Sequence, residues 1–242
     1  TGVQTCALPI LRIDIDEAQI TRRVTPSVSI VGNARTTLEQ LNGLVSSGTS
    51  RDGANRARTW REHSRNKTSK EFSPWLAAIE AALPDDAIVA LDSTQLGYSA
   101  HWWLPAQQTR SWLAPYGFGT LGCALPMAIG ASVAAPERPV LAIAGDGGWL
   151  FTVAEMASAV DIDINVTLVL WDNRGYQQIK QSFDDVDAPR MGVDVSSHDP
   201  LTIARGFGWT ARDVTSPEEL TDELRASLRR GQHMLRICVE AH

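Results

Sequence analysis

Two oxygen-bearing residues stand at the ends of two long apolar runs, and their types suit a divalent cation. The first run, VLAIA, ends in Gly145-Asp146-Gly147-Gly148, and the second, NVTLVLWD, ends in Asn173. Asp146 offers an anionic oxygen, Asn173 a neutral amide oxygen, and the backbone carbonyl of Gly175 a third ligand. Magnesium takes hard oxygen ligands in a near-octahedral shell and commonly shares them with phosphate groups. Gly147 and Gly148 let the backbone approach a diphosphate, and a helix after them supplies N–H donors. A glycine-aspartate-glycine triplet is also a common turn that binds nothing, so the residues alone leave both readings open.

For Asp146 and Asn173 to meet, the strands that carry them must lie side by side. RPVLAIAGDG reads as a buried strand and turn, TVAEMASAVD as a crossover helix, and NVTLVLWDN as the next buried strand. Around them, PWLAAIEAALP predicts an amphipathic helix stopped by Pro84, AIVALD a strand, and LGCALPMAIGASVAA a helix rich in small residues. LTIARGFG and EELTDELRASLRR predict helices, and HMLRICVE a closing strand. Apolar strands alternating with helices imply an α/β fold, a doubly wound, mostly parallel sheet with helices on both faces. In such a sheet the carboxyl ends of neighbouring strands form the binding crevice.

Upstream, LRIDID and SVSIVG read as short strands, Glu17–Arg23 as a short helix or turn, and Thr36–Leu44 as a helix with Leu38, Leu41 and Leu44 on one stripe. This part is expected to be the tail of a second α/β domain. Residues 46–71, polar and mostly basic, are read as a connecting segment or solvated helix with Trp60 as a packing anchor. Residues 1–10, TGVQTCALPI, lack the pattern of a signal peptide. They resemble translated sequencing-adaptor DNA, an artefactual leader that leaves Cys6 without functional meaning. The expected division is therefore 1–10 leader, 11–45 end of a central α/β domain, 46–71 connection, and 72–242 the cation- and diphosphate-binding domain.

The 242 residues carry a formal charge of −6, which argues against nucleic acid as the main partner. No uninterrupted apolar run is long enough to span a bilayer. Cys6, Cys123 and Cys238 are far apart, match no zinc spacing, and read as reduced thiols of a cytoplasmic protein.

The Gly145–Asn173 stretch resembles the signature of thiamine-diphosphate-dependent enzymes. SWLAPYGFGTLGCALPMAIGASVAAPERPV resembles the segment before that signature in the acetolactate synthase and 2-oxo acid decarboxylase group. LRIDIDEAQI and SVSIVGNARTTLEQL resemble the end of that group's central domain. The resemblance implies thiamine diphosphate and magnesium as cofactors, with Asp146, Asn173 and the Gly175 carbonyl on the metal. Gly147 and Gly148 would face the diphosphate, and Asp92, Ser93, Thr94 and Gln95 would form a further diphosphate-binding turn with Gln95 as its leading polar contact, whose plain alternative is a strand-end cap. Leu121 matches the apolar residue that bends the cofactor, and the Gly119 carbonyl would orient its aminopyrimidine amino group.

The implied reaction is decarboxylation of a 2-oxo acid, with or without carboligation. Tyr176, Gln177, Gln178 and Ile179 are candidates to border the substrate, or simply begin a surface helix. His101, Trp102 and Trp103 read as a packed aromatic cluster in preference to a catalytic histidine. The family's activating glutamate comes from an amino-terminal domain, across an interface in a homodimer or homotetramer. Glu155 does not match it and reads as part of a helix face, so this chain alone is expected to be inactive. Asp172 stands where an asparagine is more usual, and either assists the metal or caps the strand. No lysine-rich pocket for the substrate carboxylate is evident. An unrelated nucleotide- or phosphate-binding α/β domain, and a noncatalytic interaction subunit, are the alternative function classes.

Overall fold

The computed structural model of the chain describes residues 9–45, 52–195 and 198–239. Residues 1–8 of the expected leader, with Cys6, and residues 46–51 of the expected connection lie outside the described residues. The chain separates into two compact units, divided between Arg56 and Ala57.

In the first unit, β1 (Leu11–Asp14) and β2 (Val28–Val31) pair in parallel, Leu11 opposite Val28. Helix α1 (Glu17–Ile20) starts at Asp16, whose carboxylate accepts the Ala18 N–H, and α2 (Ala34–Leu44) starts at Asn33, whose side-chain oxygen accepts from Arg35 and Thr36. Of the leucine stripe on α2, Leu38 and Leu44 are exposed.

The division falls within α3 (Gly53–Arg65), a helix with no buried residue. Trp60 does not act as an anchor, because it is 66% exposed and only meets His63 edge-on. Its neighbours are arginines and polar residues, so no apolar stripe exists for it to join.

The second unit continues through α4 (Ser73–Ala82), β3 (Ile88–Leu91), α5 (Gln95–Trp103), β4 (Trp112–Leu113), α6 (Ala124–Ala134) and β5 (Val140–Gly145). Then come α7 (Asp146–Leu150), α8 (Glu155–Asp161), β6 (Val166–Asp172), α9 (Gln177–Asp184), α10 (Pro200–Gly206), β7 (Thr210–Asp213), α11 (Pro217–Ser227) and β8 (Gln232–Cys238). The strands form one sheet in the order β4-β3-β5-β6-β8-β7, with every pairing parallel.

Each central strand is buried on both sides, and alternate residues divide between two cores. Val89, Leu91, Leu141, Ile143, Val169 and Trp171 pack toward Leu76 and Ile79 of α4, Leu96 of α5 and Leu220 and Leu224 of α11. Ile88, Ala90, Ala142, Ala144, Leu168 and Leu170 pack toward Leu125 and Ala128 of α6, Met156 of α8 and Leu201 of α10. This is the doubly wound arrangement expected from the continuous apolar runs. After β3 the chain places β4 on one side of it and β5 on the other, so the strand order reverses between β3 and β5. In open parallel sheets, ligand crevices lie at the carboxyl ends of the strands at such a point.

Two helix starts differ from expectation. The small-residue helix begins at Ala124, because Gly122 adopts φ +79° and donates its N–H to Asp92. The crossover helix begins at Glu155, and the backbone has already made a separate helical turn, α7, directly from Asp146.

Candidate functional site

Three oxygens converge where β5 and β6 end. Asp146, 3% exposed, opens α7, and its Oδ2 accepts the Gly175 N–H at 2.8 Å. The amide oxygen of Asn173 stands 2.9 Å from the Gly175 carbonyl oxygen and 3.3 Å from Asp146 Oδ1. Adjacent ligands of an octahedral ion with bonds of about 2.1 Å stand about 3.0 Å apart. The Asn173 oxygen thus stands from each of the other two at the spacing of adjacent ligands in a magnesium shell. Turning the Asn173 amide over would place its nitrogen toward two of these acceptors but set its oxygen 3.1 Å from Gln95 Oε1. As oriented, Asn173 Nδ2 donates to Gln95 Oε1 at 3.1 Å, and the oxygen is left facing oxygens. One carboxylate, one amide and one carbonyl fit a hard divalent cation that takes its remaining ligands from a diphosphate and water.

The electrostatics agree. Burial pushes the Asp146 carboxyl up to about 6, and the charge of nearby Asp172 adds to the effect, while N–H groups of Gly147 and Gly175 oppose it. Such a carboxylate gains by acquiring a cation. Asp172 is itself buried and is answered by Arg236 at 3.5 Å and Arg174 at 3.6 Å, and it accepts the Arg174 N–H at 3.3 Å. Its direct partners are therefore arginines and the turn after β6.

Ten of the residues expected on the metal or the cofactor line one cleft of about 680 Å³, open solvent included. Ser93, Thr94 and Gln95 reach it from the end of β3 and the start of α5, and Gly119 and Leu121 from the loop before α6. Asp146, Gly147 and Gly148 reach it from α7, and Asn173 and Gly175 from the turn after β6. Tyr176, Gln177, Gln178 and Ile179 line it too, where α9 begins, and Tyr98 of α5 completes it. Gln95 is not a turn residue but the first residue of α5, with Thr94 as its N-cap. The Gly119 carbonyl already accepts the Ser93 hydroxyl at 2.9 Å, so any further donor would share that oxygen.

The glycines have a packing reason of their own. A Cβ on Gly147 would stand 2.5 Å from a ring carbon of Tyr176, and one on Gly148 would stand 3.2 Å from the Asp92 carboxylate. Asp92, expected as the first residue of the diphosphate-binding turn, does not line the cleft and instead ties the loop behind it. Buried at 2% exposure, it accepts the Ser93 N–H at 2.7 Å and the Gly122 N–H at 2.8 Å, tying the loop before α6 to the end of β3. Burial raises its pKa, while backbone N–H groups of Ser93, Gly122 and Ala124 act in the opposite direction.

His101 belongs to an aromatic cluster, with Trp112 at 5.5 Å and Tyr116 at 5.2 Å, and its Nδ1 accepts from Trp112 Nε1 at 3.1 Å. Burial lowers its pKa. Trp103 instead lies under the Arg65 guanidinium and donates to Glu80, and Trp102 is exposed and takes no part in the cluster. The helical spacing of α5 separates the three side chains onto different sides.

No group of three His, Cys, Asp or Glu side chains gathers into a metal site among the described residues. No helix among them is long and apolar enough to cross a membrane.

Comparison with known proteins bears on the same region. The chain is 34% identical over 223 residues to a probable 2-ketoarginine decarboxylase of Pseudomonas aeruginosa, covering 90% of this chain and 40% of that protein. It is 30% identical over 233 residues to the acetolactate synthase isozyme 3 large subunit of Escherichia coli K12, covering 90% and 41%. The chain thus spans about 40% of the length of these curated relatives. The structure superposes on a thiamine diphosphate-dependent 4-hydroxybenzoylformate decarboxylase of Rhodococcus jostii RHA1 with a TM-score of 0.74, covering 97% of this chain and 44% of that one at 21% identity, a likeness of fold. Residues 92–237, from the clamp Asp92 to the last core residue of β8, match the family described as thiamine pyrophosphate enzyme, C-terminal TPP binding domain, and the chain belongs to that family.

Proposed function

We propose that this chain holds the diphosphate of thiamine diphosphate through magnesium, within an enzyme that decarboxylates a 2-oxo acid with or without carboligation. The observation that carries the proposal is the Asn173 Oδ1 oxygen, at ligand spacing from both Asp146 Oδ1 and the Gly175 carbonyl oxygen, in the lining of the cleft. In this reading those three atoms hold the metal, and Gly147, Gly148, Ser93, Thr94 and Gln95 line the path of the diphosphate. Leu121 supplies an apolar wall, and the Gly119 carbonyl an acceptor for the aminopyrimidine amino group. When bound, the cofactor supplies an electron sink for cleavage of the bond beside a carbonyl. The chain's own part is to bind and orient, and to hold the Asp146 charge, which two backbone N–H groups offset only in part, where a cation completes its neutralisation.

Residues 72–242 form the cofactor-binding domain in this proposal, 46–71 the connection, and 11–45 the end of a central domain. The activating glutamate and the substrate's carboxylate partner come from a part outside these residues, in a cytoplasmic homodimer or homotetramer. Support for the 2-oxo acid class comes from the relatives, which include a probable 2-ketoarginine decarboxylase and an acetolactate synthase large subunit.

The test is calorimetric titration of the chain with thiamine diphosphate and, separately, with ADP, each with and without magnesium. The expected result is binding of thiamine diphosphate that requires magnesium and disappears in Asp146→Ala. Magnesium-dependent binding of ADP with no response to thiamine diphosphate would contradict it and favour a nucleotide-binding domain.

A further inference from the structure

The Gly175 carbonyl is the one ligand of the proposed cation that no side chain of its own can steer. Its direction depends on the backbone, and that backbone is unusual: Arg174 sits at φ +60° and Gly175 at φ +149°. A turn in this region costs free energy and persists only when its surroundings hold it. Two contacts do so. The Gly175 N–H is bound by Asp146, and Gly175 bridges to Asp194 in antiparallel fashion, the Tyr176 N–H donating to the Val193 carbonyl at 2.9 Å.

Behind this turn lies Lys180, the sole buried residue of α9. A lysine buried to 7% exposure on an eight-residue helix is costly unless its charge is matched. Its ammonium meets Asp194 Oδ1 at 2.7 Å, and Asp194 is the same residue that bridges to Gly175. The lysine also fills the space where a side chain on residue 175 would go: a Cβ there would lie 2.8 Å from Lys180 Nζ and 2.8 Å from the Val193 carbonyl oxygen. The ion pair therefore closes segment 176–193 on itself, with Gly175 held between Asp146, Val193 and Lys180.

We infer that Lys180, through its ion pair with Asp194, is a positioning residue that fixes the Gly175 carbonyl toward the Asp146 and Asn173 oxygens and so sets the affinity for the divalent cation. The inference rests on the cation-site reading. Lys180 touches neither metal nor substrate in this account. It acts through the turn, as partners behind a metal's direct ligands generally do, where losses of about 10- to 100-fold in metal affinity are usual.

Two measurements test it. Amide hydrogen exchange of the metal-free chain, with no cation involved, should show Gly175 and Tyr176 exchanging about tenfold faster in Lys180→Met and in Asp194→Asn than in the wild type. Titration with manganese in the presence of thiamine diphosphate, read by electron paramagnetic resonance, should show about tenfold weaker ion binding in both variants and no further loss in the double variant. Lys180→Arg should recover most of it. Because methionine replaces the buried charge with an apolar chain of similar length, Lys180→Met should keep its thermal midpoint in chelator, and Asp194→Asn serves if it does not. Unchanged exchange at Gly175 and Tyr176, or manganese affinity within twofold of wild type in both variants, would overturn the inference. Faster exchange with no manganese binding by the wild type itself would instead overturn the cation-site reading and leave the clasp standing.

Discussion

The Asp146 carboxylate should destabilise the metal-free protein, and replacing it by asparagine should make that protein more stable. Its pKa rises from an ordinary 3.8 to about 6. A shift of about 2 units corresponds to about 3 kcal/mol of preference for the protonated form in the folded state. The sign follows directly: the stabilisation is fully present below pH 3.8 and is lost as pH rises through about 6. Integrating the two titrations gives a loss of about 1.4 kcal/mol between pH 5 and pH 7.5. Asparagine keeps one oxygen for the Gly175 N–H, and its new amide nitrogen can donate to the Asn173 oxygen now 3.3 Å from Asp146 Oδ1.

Urea unfolding of wild type and Asp146→Asn in chelator, at pH 5 and pH 7.5, measures the effect. The variant should be more stable at pH 7.5, and its advantage should shrink by about 1.4 kcal/mol at pH 5. Adding magnesium and thiamine diphosphate should stabilise only the wild type, by mass action on the folded state. An Asp146→Asn chain less stable than wild type at pH 7.5 in chelator, or an advantage independent of pH, would refute the claim that Asp146 is a buried charge awaiting a cation.

Other expectations concern the scaffold around the site. Asp92→Ala strands the Ser93 and Gly122 N–H groups and should lower stability by about 2 kcal/mol in the same unfolding assay, whereas Asp92→Asn should cost less because one acceptor remains. Gly147→Ala drives a methyl to 2.5 Å from the Tyr176 ring and should cost about 2 kcal/mol, most of it recovered by adding Tyr176→Ala, which gives way to the methyl. Gly175→Ala should weaken magnesium binding by at least tenfold in calorimetry, since φ +149° and two contacts at 2.8 Å must both relax.

The parts of this molecule legible in its sequence were those written as long apolar runs. Val140–Gly145 and Val166–Asp172 are buried on both faces, so their composition announced two central parallel strands, and the polar residues ending them announced the crevice. Strand β7 was not legible because it lies at the sheet edge, where only Ala211 of its four residues is buried. Helix α5 was hidden by its start, Ser93-Thr94-Gln95, which reads as a turn until Asp92 is seen to hold it. Lys180 gave no signal, since a lysine early in a polar helix is ordinarily solvated, and only the returning segment at Val193-Asp194 buries it. Long-range closure of this kind leaves no mark in local pattern.

The measurement that meets the central claim most directly is anomalous diffraction from crystals of the chain grown with manganese and thiamine diphosphate. The account predicts a single strong manganese peak about 2.1–2.2 Å from Asp146 Oδ1, Asn173 Oδ1 and the Gly175 carbonyl oxygen, with diphosphate oxygens completing the shell. Thiamine diphosphate bound in the cleft with the manganese elsewhere, or with the Asn173 amide nitrogen turned toward Asp146 and Gly175, would contradict it.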